Sequence, residues 1–147
     1  MIYPVPFRAG HLRRMRLQAA QAVDQDRMEQ WDLTMFEGPH SHTAMRDGEP
    51  VVCCGAVSLD AHYARLWAFL ADGIRPRDFV AIHALARQFV AMLPFKRLDA
   101  TVATDFTAGR RWLRSLGFVR EDANGMAWYG HDGTPHALYA LIKEGVL

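Results

Sequence analysis

The chain is poor in cysteine. Cys53 and Cys54 are the only two in 147 residues, and they are adjacent. Neighbours on a strand point to opposite faces and a bridge between them would be strained, so a disulfide framework is excluded and a reducing compartment is expected. Lysine is scarce as well: Lys96 and Lys143 stand alone, and arginine supplies the other cations. Neither sign of charge dominates, with Lys plus Arg at 17 and Asp plus Glu at 16 for a net +1. That balance leaves no electrostatic footprint for general nucleic-acid binding. No apolar run approaches a membrane span, and the opening MIYPVPFRAGHLRRM lacks the apolar core of a signal peptide. Repeats, low-complexity tracts and linkers are also missing. There is no G-x-S-x-G elbow and no phosphate-binding P-loop. What these absences leave is one globular domain over residues 1–147, long enough to bury a core, and expected in a cytoplasm.

Hydrophobic spacing organises that domain. Ile2 to Phe7 alternates as a strand, and Pro4 and Pro6 confine it to a sheet edge. From about Gly10, Leu12, Met15, Ala19 and Val23 form one helical stripe; Met28, Trp31 and Met35 suggest a second helix. Ser41 to Arg46, the turn Asp47-Gly48 and Val51 to Leu59 read as a hairpin. The run YARLWAFLA, Tyr63 to Ala71, fits a central strand buried on both faces. Phe79, Ile82, Ala86, Phe89 and Leu93 mark a long helix, and Leu98 to Thr104 another strand. Met126 to Tyr129 and Ala137 to Ile142 are the last two strands. The order β-α-α-β-β-β-α-β-α-β-β predicts an α+β domain with a mixed α/β sheet.

The stretch TAGRRWLRSLGF, Thr107 to Phe118, carries its own punctuation. Thr107 is a suitable N-cap, and Ala108, Trp112, Leu113 and Leu116 lie on one stripe. Gly117 falls where a left-handed C′ residue is needed, and Phe118 at C″ can fold back on Leu113 in a Schellman ending. Arg110 and Arg111 are either cations for a phosphate or part of a solvated face. Trp112 reads as core.

The element order resembles the GNAT acetyltransferase fold over nearly the whole chain. RRWLRSLGF looks like the end of the fourth GNAT helix and its entry into the next strand. Together with YGHDGTPHALYAL, it is similar to GNAT-like proteins of short-tailed phages, among them internal virion proteins. The resemblance implies acetyl-CoA bound beside the fourth strand, with the backbone of Trp67, Ala68, Phe69 and Leu70 bonding the pantetheine arm. It implies pyrophosphate at the following loop, DGIRPRDF, where free N–H groups and the helix dipole favour an anion. Arg75 and Arg77 there, with Arg110 and Arg111, are the cations expected at the cofactor. The loop departs from the family's R/Q-x-x-G-x-G/A pattern. Read from Arg75, the glycine positions hold Asp78 and Val80; read from Arg77, they hold Val80 and Ile82. Asp105 and Trp112 stand where many members have an asparagine and a proton-donating tyrosine.

Other chemistry-bearing residues have ordinary structural alternatives. Glu49, Asp60 and Asp72 lie near strand ends and are candidate general bases or turn residues. His40 and His42 share a strand face, but no third metal ligand accompanies them. His83 reads as a packed helix residue. Cys53 and Cys54 read as small buried hydrophobes rather than nucleophiles. Two functions follow from the resemblance. The one favoured is a virion or morphogenesis component with a degenerate acetyl-CoA site, found in a host cytoplasm or a particle. The alternative is an active acetyl-CoA-dependent N-acetyltransferase acting on an amine. The expected partners are a small CoA ligand or other virion subunits, and a homo-oligomer is left open.

Overall fold

The computed structural model describes residues 1–143. Its strands are β1 (Ile2–Pro6), β2 (Ser41–Arg46), β3 (Glu49–Asp60), β4 (Tyr63–Leu70), β5 (Arg97–Ala103), β6 (Val119–Arg120) and β7 (His136–Ile142). The helices are α1 (Ala9–Arg13), α2 (Ala22–Arg27), α3 (Pro76–Met92) and α4 (Thr107–Ser115). The strands lie in the order β1-β2-β3-β4-β5-β7-β6. β4 and β5 are parallel, while β1–β2, β2–β3, β5–β7 and β6–β7 are antiparallel. This is the mixed α/β sheet that the element order predicts.

The chain divides into two compact units. One comprises Met1–Val57 and Trp67–Leu93, and the other Ser58–Leu66 and the described residues from Pro94 on. In the first, Phe7, Leu12, Met15, Leu17, Met28, Leu33, Cys53 and Phe69 form a buried cluster, with Trp67 and Phe36 packed against it. Full burial of an aliphatic or aromatic side chain contributes about 1.5–3 kcal/mol, so each member of this cluster adds to the unit's stability on that scale. The β2–β3 hairpin turns through Asp47 (φ 50°) and Gly48 (φ 79°), both left-handed, as the Asp-Gly signal requires. Pro4 and Pro6 lie in the edge strand β1.

Three expected elements differ. The stripe from Leu12 to Val23 is not one helix. α1 stops at Arg13, Met15 to Gln18 runs extended, and a 3-10 turn at Ala19–Gln21 leads into α2. Leu12, Met15 and Leu17 are still buried, so the apolar residues serve the core without helical periodicity. The break has a cause: Leu17 forms an antiparallel bridge with Ala71, and on either side of it the Gln18 N–H and Arg16 O bond Leu70 O and the Asp72 N–H. Met28 to Phe36 forms two 3-10 turns in place of a second full helix. Met126 makes only a bridge to His136, and the strand that pairs with β7 is Val119–Arg120. β4 is also less uniformly buried than expected: Ala64, Phe69 and Leu70 are buried, and Tyr63 and Arg65 to Ala68 are half-buried.

In the second unit, α4 ends as its sequence says. Gly117 has φ 96°, its N–H donates to the Arg114 carbonyl at 2.9 Å, and the Phe118 N–H donates to the Leu113 carbonyl at 3.0 Å. Those are the paired bonds of a Schellman motif. The helix starts differently: Thr107 is its first residue, Phe106 precedes it, and no side chain caps it. Trp112 is half-buried, and α4 contains no fully buried residue. The Gly-His-Asp-Gly-Thr turn closes by Gly130 N–H to Thr134 O (3.0 Å) and Thr134 N–H to Asp132 Oδ1 (2.9 Å).

Candidate functional site

β4 contributes its residues up to Leu66 to the second unit and those from Trp67 on to the first, and the candidate site is the stretch from Ala68 to Leu70 in the first. In the second unit its start pairs in parallel with β5 from Tyr63↔Arg97 to Arg65↔Asp99, where the register ends. In the first unit, the Ala71 N–H donates to Val51 O of β3 at 2.9 Å. Successive residues of an extended chain point their backbone groups to opposite sides. The backbone groups of Ala68, Leu70 and Asp72 therefore point away from β3.

The chain itself bonds that edge. The Gln18 N–H donates to Leu70 O at 3.0 Å, and the Asp72 N–H donates to Arg16 O at 2.8 Å. The Gln21 side chain completes the row. Its Nε2 donates to Ala68 O at 2.7 Å, and its Oε1 accepts from the Leu70 N–H at 2.8 Å. Gln25, four residues on, makes the same two-point bond to the extended segment Met15 to Gln18, a strap along β4: Nε2 donates to Met15 O at 2.8 Å, and Oε1 accepts from the Leu17 N–H at 2.9 Å. Two carboxamides thus act as peptide-like partners for extended backbone. Sequence analysis passed over both. Their spacing, i and i+4, placed both glutamines on the polar face opposite the stripe of Leu12, Met15, Ala19 and Val23, where they read as solvated.

Trp67 and Phe69 of β4 face the core, where Trp67 packs on Phe36 and Phe7 at ring distances of 4.8 and 5.2 Å. Gly55 is required beneath it, since a Cβ there would lie 2.6 Å from the indole. Beyond β4 the chain turns at Gly73 (φ 72°) and enters α3 with Pro76 at the first position, where its missing N–H costs nothing. Asp78 in the first turn is buried, and its carboxylate accepts from Arg75 Nε and Arg46 Nε, both at 3.2 Å. An internal anion thus sits at the positive end of α3. Arg77 is exposed and makes no ion pair among the described residues.

The remaining candidates are spread between the units. Glu49 pairs with Arg14 at 3.1 Å and is 72% exposed. Asp72 is exposed at the end of β4. In the second unit, Asp60 accepts from the Ala61 N–H at 2.6 Å and lies 3.6 Å from His62. Arg110 is committed locally, to Thr104 O at 2.9 Å and Tyr139 Oη at 3.3 Å, while Arg111 is exposed. The His42 ring packs on Phe89. Among the described residues, no group of three or more His, Cys, Asp or Glu could hold a metal ion. Both cysteines are free; burial pushes the Cys53 thiol up to about 11 and the Cys54 thiol up to about 12. No described helix is long and apolar enough to cross a membrane.

A buried carboxylate that sequence analysis left out organises the second unit. Asp99, 1% exposed, accepts from Tyr63 Oη at 2.5 Å, Arg65 Nε at 2.9 Å and Arg97 Nη2 at 3.4 Å. Burial alone would raise its pKa; the hydrogen bonds from Arg65 and Tyr63 outweigh burial and hold it below the usual carboxylate range. Arg97 continues the network to Glu121 at 2.7 Å.

A parallel pair that ends early, a crossover helix between its strands and an antiparallel β5-β7-β6 flank together mark one architecture. The fold is that of the GNAT acetyltransferases. A GNAT-family acetyltransferase from Bacillus anthracis matches 96% of this chain and 94% of its own, with TM-score 0.65 at 13% identity. The ribosomal-protein-S5-alanine acetyltransferase of Vibrio fischeri matches 99% and 95%, with TM-score 0.64 at 12% identity. A ribosomal L7/L12 α-N-protein acetyltransferase solved in complex with coenzyme A matches 96% and 93%, with TM-score 0.62 at 11% identity. No family model and no curated protein sequence matches the chain. In this GNAT fold, the strand edge and helix start are in place, and the chain's own groups bond to both.

Proposed function

We propose that this protein is an acyltransferase that takes acetyl-CoA as donor and an amine as acceptor. One observation carries the reading: the outer edge of β4 holds a carboxamide in register. Gln21 donates to Ala68 O and accepts from the Leu70 N–H. The pantetheine arm of coenzyme A presents secondary amides with the same donor and acceptor, so the edge is chemically suited to it. At the α3 start, Arg77 is free for phosphate, and Arg75 becomes available if a phosphate group outcompetes Asp78. The fit is thus good in kind and closed in the free chain.

Bound there, acetyl-CoA would supply an acyl group activated as a thioester. The chain's part is to hold the arm along Trp67, Ala68, Phe69 and Leu70 and the phosphates at Arg75 and Arg77. Arg110, bonded to Thr104 and Tyr139, acts as a structural brace, and Arg111 is the cation of α4 left for a ligand or solvent. Glu49 is held by Arg14, Asp60 binds its own turn, and Asp72 lies at the loop end of the strand. The reading therefore assigns no protein base. An amine arriving neutral would form the C–N bond at the acyl carbon as the C–S bond breaks; its surplus proton would leave to solvent, and the departing thiolate would take a proton from solvent. The rate of thiol release from acetyl-CoA should then rise with pH through the acceptor amine's own pKa.

A second reading is a GNAT-fold scaffold without catalysis, in a virion or another assembly. The internal Asp78 anion at the helix start favours it, because a carboxylate there opposes a phosphate. Calorimetric titration with CoA separates the two: micromolar binding supports the transferase, and no heat at millimolar CoA supports the scaffold.

A further inference from the structure

From the hydrogen bonds of one side chain, we infer that Gln21 is a built-in placeholder for the ligand's amide, a gate that swings out while the strap beside it stays. The inference rests on the acetyl-CoA reading above.

Two groups of bonds cover the β4 edge, and they differ in how firmly they are held. Arg16 O and Gln18 N are backbone groups on either side of Leu17, whose side chain is 5% exposed within the core cluster. Gln25 clamps the same segment from its other edge, through Met15 O and the Leu17 N–H. Lifting this strap would expose Leu17 and break bonds on both sides. Gln21 is different. It reaches Ala68 O and Leu70 N with its side chain alone, from the 3-10 turn Ala19–Gln21. It is half-buried, and its neighbours Ala20, Ala22 and Val23 are exposed. Rotation of its χ angles frees both β4 groups without moving the backbone and returns rotamer freedom to the side chain.

The reason for such a residue lies in the strand. Leu70 N–H and Ala68 O belong to a buried and a half-buried residue on the side of β4 away from β3. Left unpaired and shielded from water, they would destabilise the free protein. Gln21 satisfies both, and a secondary amide of a ligand can replace it bond for bond. The ligand class is therefore an extended chain bearing an amide N–H and C=O, and its affinity is reduced by the fraction of molecules in which Gln21 occupies the edge.

The probes are D-pantetheine, which lacks the nucleotide, and coenzyme A, each titrated into wild type and Gln21→Ala. The expected result is about tenfold tighter binding of both probes to Gln21→Ala, since a competitor is removed. Gln25→Ala, which loosens the strap and leaves Gln21 in place, should gain much less. Equal affinities of wild type and Gln21→Ala overturn the placeholder and leave the acetyl-CoA reading standing. No binding of either probe to either protein at millimolar concentration overturns both. Should Gln21→Ala fold poorly by circular dichroism, Gln21→Glu keeps the side-chain shape, turns the donor to Ala68 O into a repelling oxygen, and should bind tighter than wild type. On the wild-type chain, NMR gives an independent reading. Saturating coenzyme A should shift the Gln21 side-chain amide resonances to solvent-like values and leave those of Gln25 unmoved; movement of Gln25 alone overturns the gate.

Discussion

Gln21 Oε1 accepts the backbone N–H of Leu70 at 2.8 Å, a side-chain group taking a strand's place at the edge of β4. The bond joins a residue before α2 to the sheet. Gln21→Ala leaves Leu70 N–H and Ala68 O without these partners, so it should destabilise the chain by about 1–3 kcal/mol. Urea melts give that number. Amide exchange at Leu70 should accelerate while that at Ala71, bonded to Val51, stays unchanged.

The Asp99 network should act as an acid-sensitive lock. Its carboxyl is held below the ordinary range in the folded chain, so its contribution is present above the unfolded value, near pH 4, and is lost as pH falls through the folded value. Asp99→Asn removes the charge that Arg65 and Arg97 face. Because Arg65 is partly exposed, the cost at pH 7 should be about 2 kcal/mol, below that of a fully buried pair. The gap between variant and wild type should narrow progressively as the pH of the melts is lowered below about 4. A constant gap would assign the loss to packing instead.

Gly117 at φ 96° is the left-handed C′ residue of α4. Gly117→Val should cost more than about 1 kcal/mol, because a β-branched residue is strained there. The steric cost comes from the backbone, as the nearest foreign atom to an added Cβ is a Leu141 methyl at 3.6 Å. A melting temperature equal to that of wild type would contradict this.

Both thiols are free and pushed up by burial. Ellman's reagent without reductant should find two thiols in the denatured protein and react far more slowly with the native one. A denatured count of zero would contradict the free pair.

How much of this the sequence disclosed depended on whether the cause was local. The Asp47-Gly48 turn, Pro76 at the start of α3 and the Gly117-Phe118 ending each depend on the conformation of a few consecutive residues, and each was legible. The path after Arg13 was not. Leu12, Met15, Ala19 and Val23 fit a helical stripe, but the open edge of β4, some fifty residues away in sequence, draws Arg16 to Gln18 into extended pairing. Asp99 was hidden for a similar reason: its partners Tyr63 and Arg65 come from another strand. For the site, the loop arginines were legible as candidates. That Asp78 holds Arg75 together with Arg46 was not, because Arg46 comes from the β2–β3 hairpin.

The proposal of an acetyl-CoA donor meets its most direct test in calorimetry of coenzyme A against wild type and the Arg75→Ala/Arg77→Ala double variant. Each charge-assisted bond to phosphate is worth about 1.5–3 kcal/mol, so losing two should weaken binding by roughly a hundredfold or more. The account predicts micromolar binding to wild type and near-complete loss in the double variant. Wild-type protein that gives no binding heat at millimolar coenzyme A would contradict it.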